Sequence, residues 1–308
     1  MAAWSPRLRS CLRHLQPQRA FTAASAAAAA SKPLADPHMV SNTLDDETSA
    51  RIVERLESRG QDEIFRSLFL GYFPELRRCS NVLEIGCGTG VVLRALVADS
   101  DFHGRVTGAD QSPAFLEAAR RLAAEEGCPS DRISFVEADA QQPAAAALGE
   151  AAYDAVVMHT LISHTSDPAA VLAEAATLAA PGALLVVMDG DYGSLTYAHP
   201  EDLELGRRMD QALVTSVFNQ PNAIRDLASM LPAAGWQLED VRSQCVSEVG
   251  AEASYWVSFA NAYMPRIVQS GVVDEATVEG WWQAQTDALA AGHFFAAANY
   301  YTFLARKV

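Results

Sequence analysis

Short apolar runs alternate with longer amphipathic runs between residues 81 and 190. This alternation predicts a parallel sheet assembled from strand–helix units, in which each helix crosses back over one face of the sheet. The predicted strands are Val82–Ile85, Arg105–Ala109, Ile133–Ala138, Tyr153–His159 and Ala183–Met188. The predicted helices between them are Gly90–Ala98, Pro113–Glu126 and Pro168–Ala179, and Pro181-Gly182 is a predicted turn before the fifth strand.

Segments with helical spacing flank this region on both sides. Upstream, two helices are predicted over Asp45–Arg59 and Asp62–Phe73, the second ended by Pro74, and we expect them to cover a ligand cleft. Downstream, residues 191–220 have the pattern of an insertion with a helix over Glu201–Phe218. The remaining predicted elements are helix Asn222–Ala234, strand Trp236–Glu248, helices Ala251–Gln269 and Asp274–Ala290, and a final strand His293–Ala305.

The first 31 residues differ in composition from the rest of the chain. They are rich in Arg, Ser and Ala and contain no Asp or Glu, and Leu8, Leu12 and Leu15 would share one face of a helix. Organellar transit peptides have this composition, so we interpret residues 1–31 as a transit peptide and 32–43 as a linker. The expected destination is the mitochondrial matrix. A plastid address, or a tail without an address on a cytoplasmic protein, is the alternative.

The net charge limits the classes of partner. The 308 residues have a formal net charge of −15. Proteins that bind nucleic acid neutralise its phosphates with a basic surface, so neither nucleic acid nor an anionic membrane is an expected partner. No uncharged apolar run reaches the roughly 18 residues that a membrane-spanning helix needs. The cysteines lack the paired spacing of a metal site, and no metal is expected; they are Cys11, Cys79, Cys87, Cys128 and Cys245.

A glycine-rich loop follows the first predicted strand. Gly86, Gly88 and Gly90 occupy alternate positions, and the acidic Glu84 precedes them by two residues. Glycine permits positive φ angles and has no side chain, so the backbone can approach a ligand closely. The amides at the start of the following helix then favour an electronegative group. This segment therefore predicts a cofactor site.

Acidic residues also end the next two predicted strands. Asp110, followed by Gln111, lies about twenty residues after the glycine loop, where an acidic side chain can accept hydrogen bonds from both hydroxyls of a ribose. Asp139-Ala140 ends the third strand in the same way. Because the carboxyl ends of parallel strands meet at one edge of a sheet, all three motifs predict one site.

The motifs resemble those of class I S-adenosylmethionine-dependent methyltransferases. The E-x-G-x-G-x-G segment resembles the first motif of that family, and Tyr153–Val156 resembles its Y/F-D-x-V strand. Pro181–Leu185 also matches its P-G-A-x-L turn, and the resemblance covers residues 80–190 well. Within the family, the sequence is most similar in style to the small-molecule enzymes that methylate ubiquinone and menaquinone precursors.

The resemblance implies a set of cofactor-binding residues. S-adenosylmethionine would lie over the three glycines, with Asp110 on the ribose hydroxyls, Asp139 on the adenine amine and the Ala140 amide on a ring nitrogen. The expected cofactor-binding residues are Glu84, Gly86, Gly88, Gly90, Asp110, Gln111, Asp139, Ala140 and His159.

The resemblance also implies the architecture. It predicts the α/β class, with a Rossmann-like, seven-stranded, mostly parallel sheet that has helices on both faces and helical N-terminal and inserted cover elements. The methyltransferase domain would occupy residues 44–308. Within it, 44–80 would form the N-terminal helices, 81–190 the cofactor-binding core, and 191–308 the helical substrate cover and final strands.

Two histidines are candidates for catalysis. His159 and His164 lie at and just after the end of the fourth predicted strand, where the family presents the methyl group. Imidazole has a pKa suited to removing a proton from a methyl acceptor. The alternative is that His159 bonds to backbone and His164 only shapes the adenosyl pocket.

Further polar and aromatic residues follow the fifth strand. Asp189-Gly190-Asp191, beside Tyr192 and Tyr197, could bind a metal or an amine, but a solvated turn is the interpretation favoured by composition. An aromatic group could form an apolar wall for the acceptor, although its helical spacing favours core packing. This group consists of Tyr255, Trp256, Phe259, Tyr263, Trp281 and Trp282.

The sequence therefore predicts a methyltransferase that acts on a small, partly apolar molecule. The atom that is methylated and the oligomeric state cannot be read from these patterns. Two alternatives remain at this point: an NAD-dependent oxidoreductase, which also uses a glycine loop, and a non-catalytic assembly factor that retains the methyltransferase fold.

Overall fold

The carboxyl ends of three adjacent parallel strands form the edge of the sheet where the predicted motifs meet. The computed structural model describes residues 36, 38, 41–43, 45–150 and 152–308, so the predicted transit peptide lies outside the described residues. The strands are β1 (Asn81–Ile85), β2 (Arg105–Asp110), β3 (Ile133–Glu137), β4 (Tyr153–His159), β5 (Ala179–Tyr197), β6 (Trp236–Val249) and β7 (Phe295–Lys307).

The strands form one seven-stranded sheet in the order β3-β2-β1-β4-β5-β7-β6. Neighbouring strands are parallel from β3 through β5, whereas β7 runs antiparallel to both β5 and β6. The predicted mostly parallel, seven-stranded sheet is therefore confirmed. The strand order reverses direction at β1, between β2 and β4, and such a switch point opens a crevice for a ligand.

Helices precede the sheet and connect its strands. After a 3₁₀ turn at Ser41–Thr43, the helices before the sheet are α1 (Asp46–Gln61), α2 (Glu63–Leu70) and α3 (Phe73–Leu76). Those that connect strands β1 to β5 are α4 (Val91–Ala98), α5 (Pro113–Glu125), α6 (Ala145–Leu148) and α7 (Pro168–Leu178). Those that follow are α8 (Leu203–Val217), α9 (Ala223–Ala233), α10 (Tyr255–Ser270) and α11 (Glu275–Ala290).

Each face of the sheet is covered by its own apolar core. Along β1, Val82 contributes to one core and Leu83 to the other, as expected when successive side chains of a strand point to opposite faces. Helices α2, α4, α5, α8, α10 and α11 pack on the first face, whereas α7 and α9 pack on the second. The helices on both faces confirm the predicted fold class. Among the described residues, no helix is both long and apolar enough to span a membrane.

Helix α1 is attached to the core through a buried charge. The guanidinium of Arg94, on α4, is only 4% exposed and binds the Glu57 carboxylate of α1 at 2.7 Å and also Glu126. Close backbone packing adds to this contact, because a Cβ on Gly60 would lie 2.5 Å from the side chain of Val91. As a result α1 lies over the start of α4, as expected for a helix that covers the cleft.

Several predicted helix and strand boundaries were wrong, including the start of α10, which lies at Tyr255 rather than Ala251. The second helix ends at Leu70 rather than Phe73, and Pro74 lies in the first turn of α3, where its missing N–H has no helical partner to lose. Strand β5 begins at Ala179 and runs to Tyr197, so it includes the predicted Pro181-Gly182 turn and the start of the region taken as an insertion. The antiparallel partner β7 extends β5 beyond Met188, since Asp191 pairs with Asn299.

The favoured interpretation of Asp189-Gly190-Asp191 as a solvated turn was also wrong. Asp189 is fully buried within β5, where its carboxylate accepts hydrogen bonds from the backbone amide and the hydroxyl of Ser163, each at 3.0 Å. Asp191 is nearly buried and pairs with Arg225 at 2.8 Å. The described residues hold no cluster of His, Cys, Asp and Glu side chains suited to a metal.

Core packing accounts for most of the aromatic group. Trp256, Phe259, Tyr263 and Trp281 are buried in the core of the first face, as their spacing predicted. Tyr255 is only partly buried and lies against Phe65, with ring centroids 4.0 Å apart.

Candidate active site

A pocket opens at the carboxyl ends of β1, β2, β3 and β4, beneath helices α1 and α2. It encloses about 1060 Å³ of empty space, part of it open to solvent. Leu56 and Arg59 of α1 and Phe65 and Phe69 of α2 form its cover. The pocket is lined by all but one of the predicted site residues; those that line it are Glu84, Gly86, Gly88, Asp110, Gln111, Asp139, Ala140, His159 and His164.

The glycine loop provides a backbone floor for the pocket. The φ angles of Gly86 and Gly88 are +73° and +52°, in the left-handed region that residues with a Cβ rarely adopt. A Cβ on Gly86 would lie 2.6 Å from a methyl group of Leu161. Gly90 is the predicted residue that does not line the pocket. It lies against the ring of Phe135, so its lack of a side chain serves packing.

Asp110 connects the end of β2 to this loop. Its Oδ2 accepts a hydrogen bond from the Gly88 amide at 2.8 Å, and its Oδ1 accepts one from the Ser112 amide at 2.9 Å. Burial raises the pKa of Asp110, and the two amides oppose that rise. The neighbouring Gln111 donates from its side-chain amide to the carbonyl of His38 at 2.9 Å.

The loop after β3 lies at the other end of the pocket. Asp139 accepts a hydrogen bond from the Gln141 amide at 2.9 Å. Gln141, which sequence reasoning missed, also lines the pocket, and its side-chain carbonyl accepts from the Ser166 amide at 2.8 Å. That contact joins the loops after β3 and β4, and no local pattern in the sequence indicated it.

Glu84 is a buried acid without a partner. Its side chain is on β1, Glu84 is 2% exposed, and Oε2 has no hydrogen-bond partner among the described residues. Burial raises the pKa of Glu84 well above its usual range, the nearby Asp110 adds to the rise, and Arg59 opposes it. Such an atom suits a ligand that brings its own donor, because an unmet buried acceptor is costly. The ammonium group of S-adenosylmethionine is a donor of this kind.

Arg59 is a cation in the pocket that sequence reasoning did not identify. Its Nη2 donates to the hydroxyl of Thr160 at 3.0 Å. Thr160 has a φ of +53°, a strained conformation for a residue with a branched Cβ. The contact spans 101 positions in the sequence, so only the docking of α1 brings these residues together.

His159 is held by a tyrosine from the segment between α2 and α3. Its Nδ1 lies 2.8 Å from the hydroxyl of Tyr72, which is completely buried. Burial, and then the charge of Arg59, lower the pKa of His159 well below its usual range, so the ring is neutral near pH 7. Burial likewise raises the pKa of Tyr72.

His164 is held by a carboxylate from the start of the described chain. Its Nδ1 lies 2.8 Å from Oδ2 of Asp36, and the Oδ1 of Asp36 accepts a hydrogen bond from the His38 amide at 2.9 Å. The rings of His38 and His164 are 4.4 Å apart between centroids. Asp36 is 2% exposed, although it falls in a stretch that the sequence predicted to be a linker.

Comparisons with known proteins find similarity in the part of the chain that contains this pocket. A family model described as a methyltransferase domain matches residues 83–185, which include the glycine loop and the ends of β2 to β4. An uncharacterised 37.1 kDa protein of transposon TN4556 from Streptomyces fradiae is 29% identical over 232 residues, or 75% of this chain and 64% of that protein. The ubiquinone biosynthesis O-methyltransferase of Xylella fastidiosa (strain 9a5c) is 34% identical over 110 residues, 35% of this chain and 41% of the enzyme.

A solved structure supports the fold. The YcgJ protein of Bacillus subtilis superposes with a TM-score of 0.54 at 14% identity, covering 79% of this chain and 98% of that protein. The chain spans less than two thirds of the length of the two relatives named above.

The residues in the pocket fit S-adenosylmethionine. The Oε2 atom of Glu84 suits its ammonium group, the loop can approach it closely because Gly86 and Gly88 have no side chain, and Asp110 binds the loop at Gly88. The strand order, the loop and the family match lead to one assignment. Residues 83–185 form a domain of the class I S-adenosylmethionine-dependent methyltransferase family, with distant similarity to the ubiquinone biosynthesis O-methyltransferases.

Proposed function

We propose that this chain transfers the methyl group of S-adenosylmethionine to a small, partly apolar metabolite. The observation that carries the proposal is the buried Oε2 of Glu84 beside the glycine loop, which has no hydrogen-bond partner among the described residues and can accept one from a ligand. The aromatic rings of Phe65 and Phe69 in the cover supply apolar surface for an acceptor.

The chain's own groups would hold the cofactor as follows. Glu84 would accept from the ammonium group, Asp110 from the ribose hydroxyls, and Asp139 with the Ala140 amide would bind the adenine. Gln111 and His159 would complete the contacts, and the backbone of Gly86 and Gly88 would lie beneath. When bound, S-adenosylmethionine supplies an electrophilic methyl group on a sulfonium.

The helices that cover the pocket limit the size of the acceptor that can enter it. Helices α1 and α2 close the pocket on the side away from the sheet, and Arg94 attaches α1 to α4. Exclusion of water strengthens the electrostatic contacts to a charged sulfonium. A relative's description as an O-methyltransferase of ubiquinone biosynthesis supports a small, partly apolar acceptor without naming it.

Titration calorimetry with S-adenosylmethionine and with NAD tests the cofactor. We expect binding of the first and none of the second, and binding of NAD alone would favour an oxidoreductase. Incubation with methyl-labelled S-adenosylmethionine and protein-free metabolite extracts, followed by mass spectrometry of labelled products, tests catalysis. Cofactor binding without any labelled product, from extracts of several sources, would favour the non-catalytic alternative.

The mitochondrial matrix is proposed as the destination. The Arg-rich, acid-free residues 1–31 are its support. A fusion of these residues to a fluorescent protein should enter mitochondria, and a matched fusion with the arginines changed to Gln should not. Accumulation in plastids or in the cytoplasm would contradict the proposal.

A further inference from the structure

Two of the histidines that line the pocket, His159 and His164, have partners of different hydrogen-bonding character. Nδ1 of His159 faces a phenol, Tyr72, whereas Nδ1 of His164 faces a carboxylate, Asp36. A neutral imidazole carries its proton on one nitrogen and accepts on the other, so the partner of Nδ1 determines what Nε2 can do. The roles of the two rings can therefore be separated.

The phenol selects the tautomer of His159. Tyr72 is completely buried, and its hydroxyl has His159 as its hydrogen-bond partner among the described residues. If the hydroxyl accepted from Nδ1–H, its own proton would be left buried without an acceptor, at a cost of about 1–3 kcal/mol. The hydroxyl therefore donates to Nδ1, and the proton of the neutral ring is on Nε2.

The carboxylate selects the other tautomer for His164. An ionised carboxylate only accepts hydrogen bonds, so Nδ1 of His164 must carry a proton toward Asp36. Asp36 is fixed in turn by the His38 amide on its other oxygen. In a neutral His164 the lone pair is then on Nε2. The same pairing of carboxylate and imidazole orients the base in hydrolytic triads.

We propose that His164, oriented by Asp36, is the general base of the reaction, and that His159, oriented by Tyr72, contributes a hydrogen-bond donor to the pocket. This inference rests on the proposed methyl transfer. Tyr72 and Asp36 are positioning residues, since each acts through a histidine. His159 would thus bind an oxygen of a ligand rather than remove its proton.

The proton balance of the step is complete. A bond forms between the methyl carbon and the acceptor atom, the sulfur–methyl bond breaks with its electron pair on sulfur, and the acceptor's proton moves to Nε2 of His164. The resulting imidazolium lies beside the Asp36 carboxylate, which stabilises it, and Asp189 is a second acidic group near that ring. Release of this proton to water restores the neutral ring. Arg59 acts on His159, and His38, beside His164, is itself close enough to Arg55, Arg59 and Arg266 to be affected by their charges.

Long-range ¹H–¹⁵N spectra of histidine-labelled full-length protein at pH 7.5 test the tautomers without an acceptor. H159Q and H164Q identify the two ring signals, and H103Q, at an exposed site, is the matched control. We expect protonation on Nε2 for His159 and on Nδ1 for His164. The reverse pattern in either ring overturns the inference. In Y72F, but not in the control Y301F, the His159 signals should change to those of mixed tautomers.

Methyl transfer tests the consequence. Asp36 accepts hydrogen bonds from two donors, whereas the asparagine of D36N has only one accepting oxygen. We therefore expect the rate of methyl transfer to fall by roughly 10²–10⁴-fold, which is the range for loss of a general base. The affinity for S-adenosylmethionine should be nearly unchanged. The exposed D131N is the control.

H159Q, whose amide can still donate, should retain more transfer than H159A. Full transfer by D36N and H164Q would overturn the base role even if the tautomers are as expected. Failure of the unmodified protein to bind the cofactor would instead contradict the proposed function.

Discussion

The Oδ2 atom of Asp110 accepts a hydrogen bond from the Gly88 amide at 2.8 Å, and this contact joins the second strand to the glycine loop of the first. Its Oδ1 accepts from the Ser112 amide, so the carboxylate binds backbone donors on both sides of the pocket edge. A carboxylate has about four accepting lone pairs, so it can still accept from ribose hydroxyls.

Replacement of Asp110 by Asn should weaken cofactor binding. The amide provides one accepting oxygen where two backbone donors now bind, and it turns a donor toward one of them. We expect the dissociation constant for S-adenosylmethionine to rise about 10- to 100-fold, since hydrogen bonds to charged groups contribute about 1.5–3 kcal/mol. Calorimetry of D110N beside the exposed D131N measures this. Equal affinity in both variants would show that the ribose does not lie at β2.

Gly86→Ala tests whether glycine is needed at this position only for its positive φ angle or also for close approach to a ligand. Gly86 and Gly127 have almost the same φ, +73° and +72°, but a Cβ on Gly86 would meet Leu161 at 2.6 Å, whereas one on Gly127 would meet nothing within 4 Å. Each variant should lose about 1–2 kcal/mol from backbone strain. G86A should also displace Leu161 and weaken cofactor binding, while G127A should bind normally. Equal binding by both would mean that the loop does not contact the ligand closely.

Glu84→Gln should stabilise the free protein and weaken its complex. Burial raises the pKa of Glu84, so its stabilising contribution is present below the pKa of the unfolded chain and is lost as pH rises through the folded value. Glutamine has no ionisable group, so at neutral pH the folded protein neither has to bind a proton at this position nor to bury a charge there. Thermal unfolding of E84Q and of the exposed control E117Q, with and without S-adenosylmethionine, compares the two effects. A variant that is less stable without ligand yet binds as tightly would contradict this account.

Asp210 makes a separate contribution to pH dependence, away from the pocket. Burial raises its pKa from 3.8 to about 7, although the Tyr197 amide, at 3.0 Å from its Oδ1, opposes the rise. The stability that comes from the neutral acid is therefore complete below about pH 4 and is lost as pH rises through 7. D210N keeps an acceptor for the amide and has no charge to bury. Its melting temperature should exceed that of the unmodified protein at pH 8, with a difference that shrinks toward pH 4.

Most elements of the core could be predicted because their signals are local. The strands that contain Leu83 and Val156 are short apolar runs between turn residues, and both were predicted within one residue of the observed ends. The end of β5 was missed because Asp189 and Gly190 interrupt its apolar pattern. Their acceptability in a buried strand depends on Ser163, which is distant in the sequence and satisfies the carboxylate.

The candidate site likewise contains some residues that local sequence patterns could locate and others that they could not. Sequence patterns located the residues that end strands, such as Asp110 and Asp139, because parallel strands bring their carboxyl ends to one edge. They did not find Arg59, on helix α1, or Tyr72, between α2 and α3, since no local pattern shows which side chain such a residue will meet after the segment docks. They also treated Asp36 as part of a linker, although it binds His164 across 128 positions.

By itself, the sequence determined the alternation of strands and helices, the glycine loop and the acidic strand ends, because each depends on the conformational preference of a few neighbouring residues. Only the tertiary structure decided how His159 and His164 are held and which cation acts on Glu84. Those contacts join α1, the segment after α2 and the start of the described chain to the sheet. They depend on the packing of distant surfaces, which local preferences do not encode.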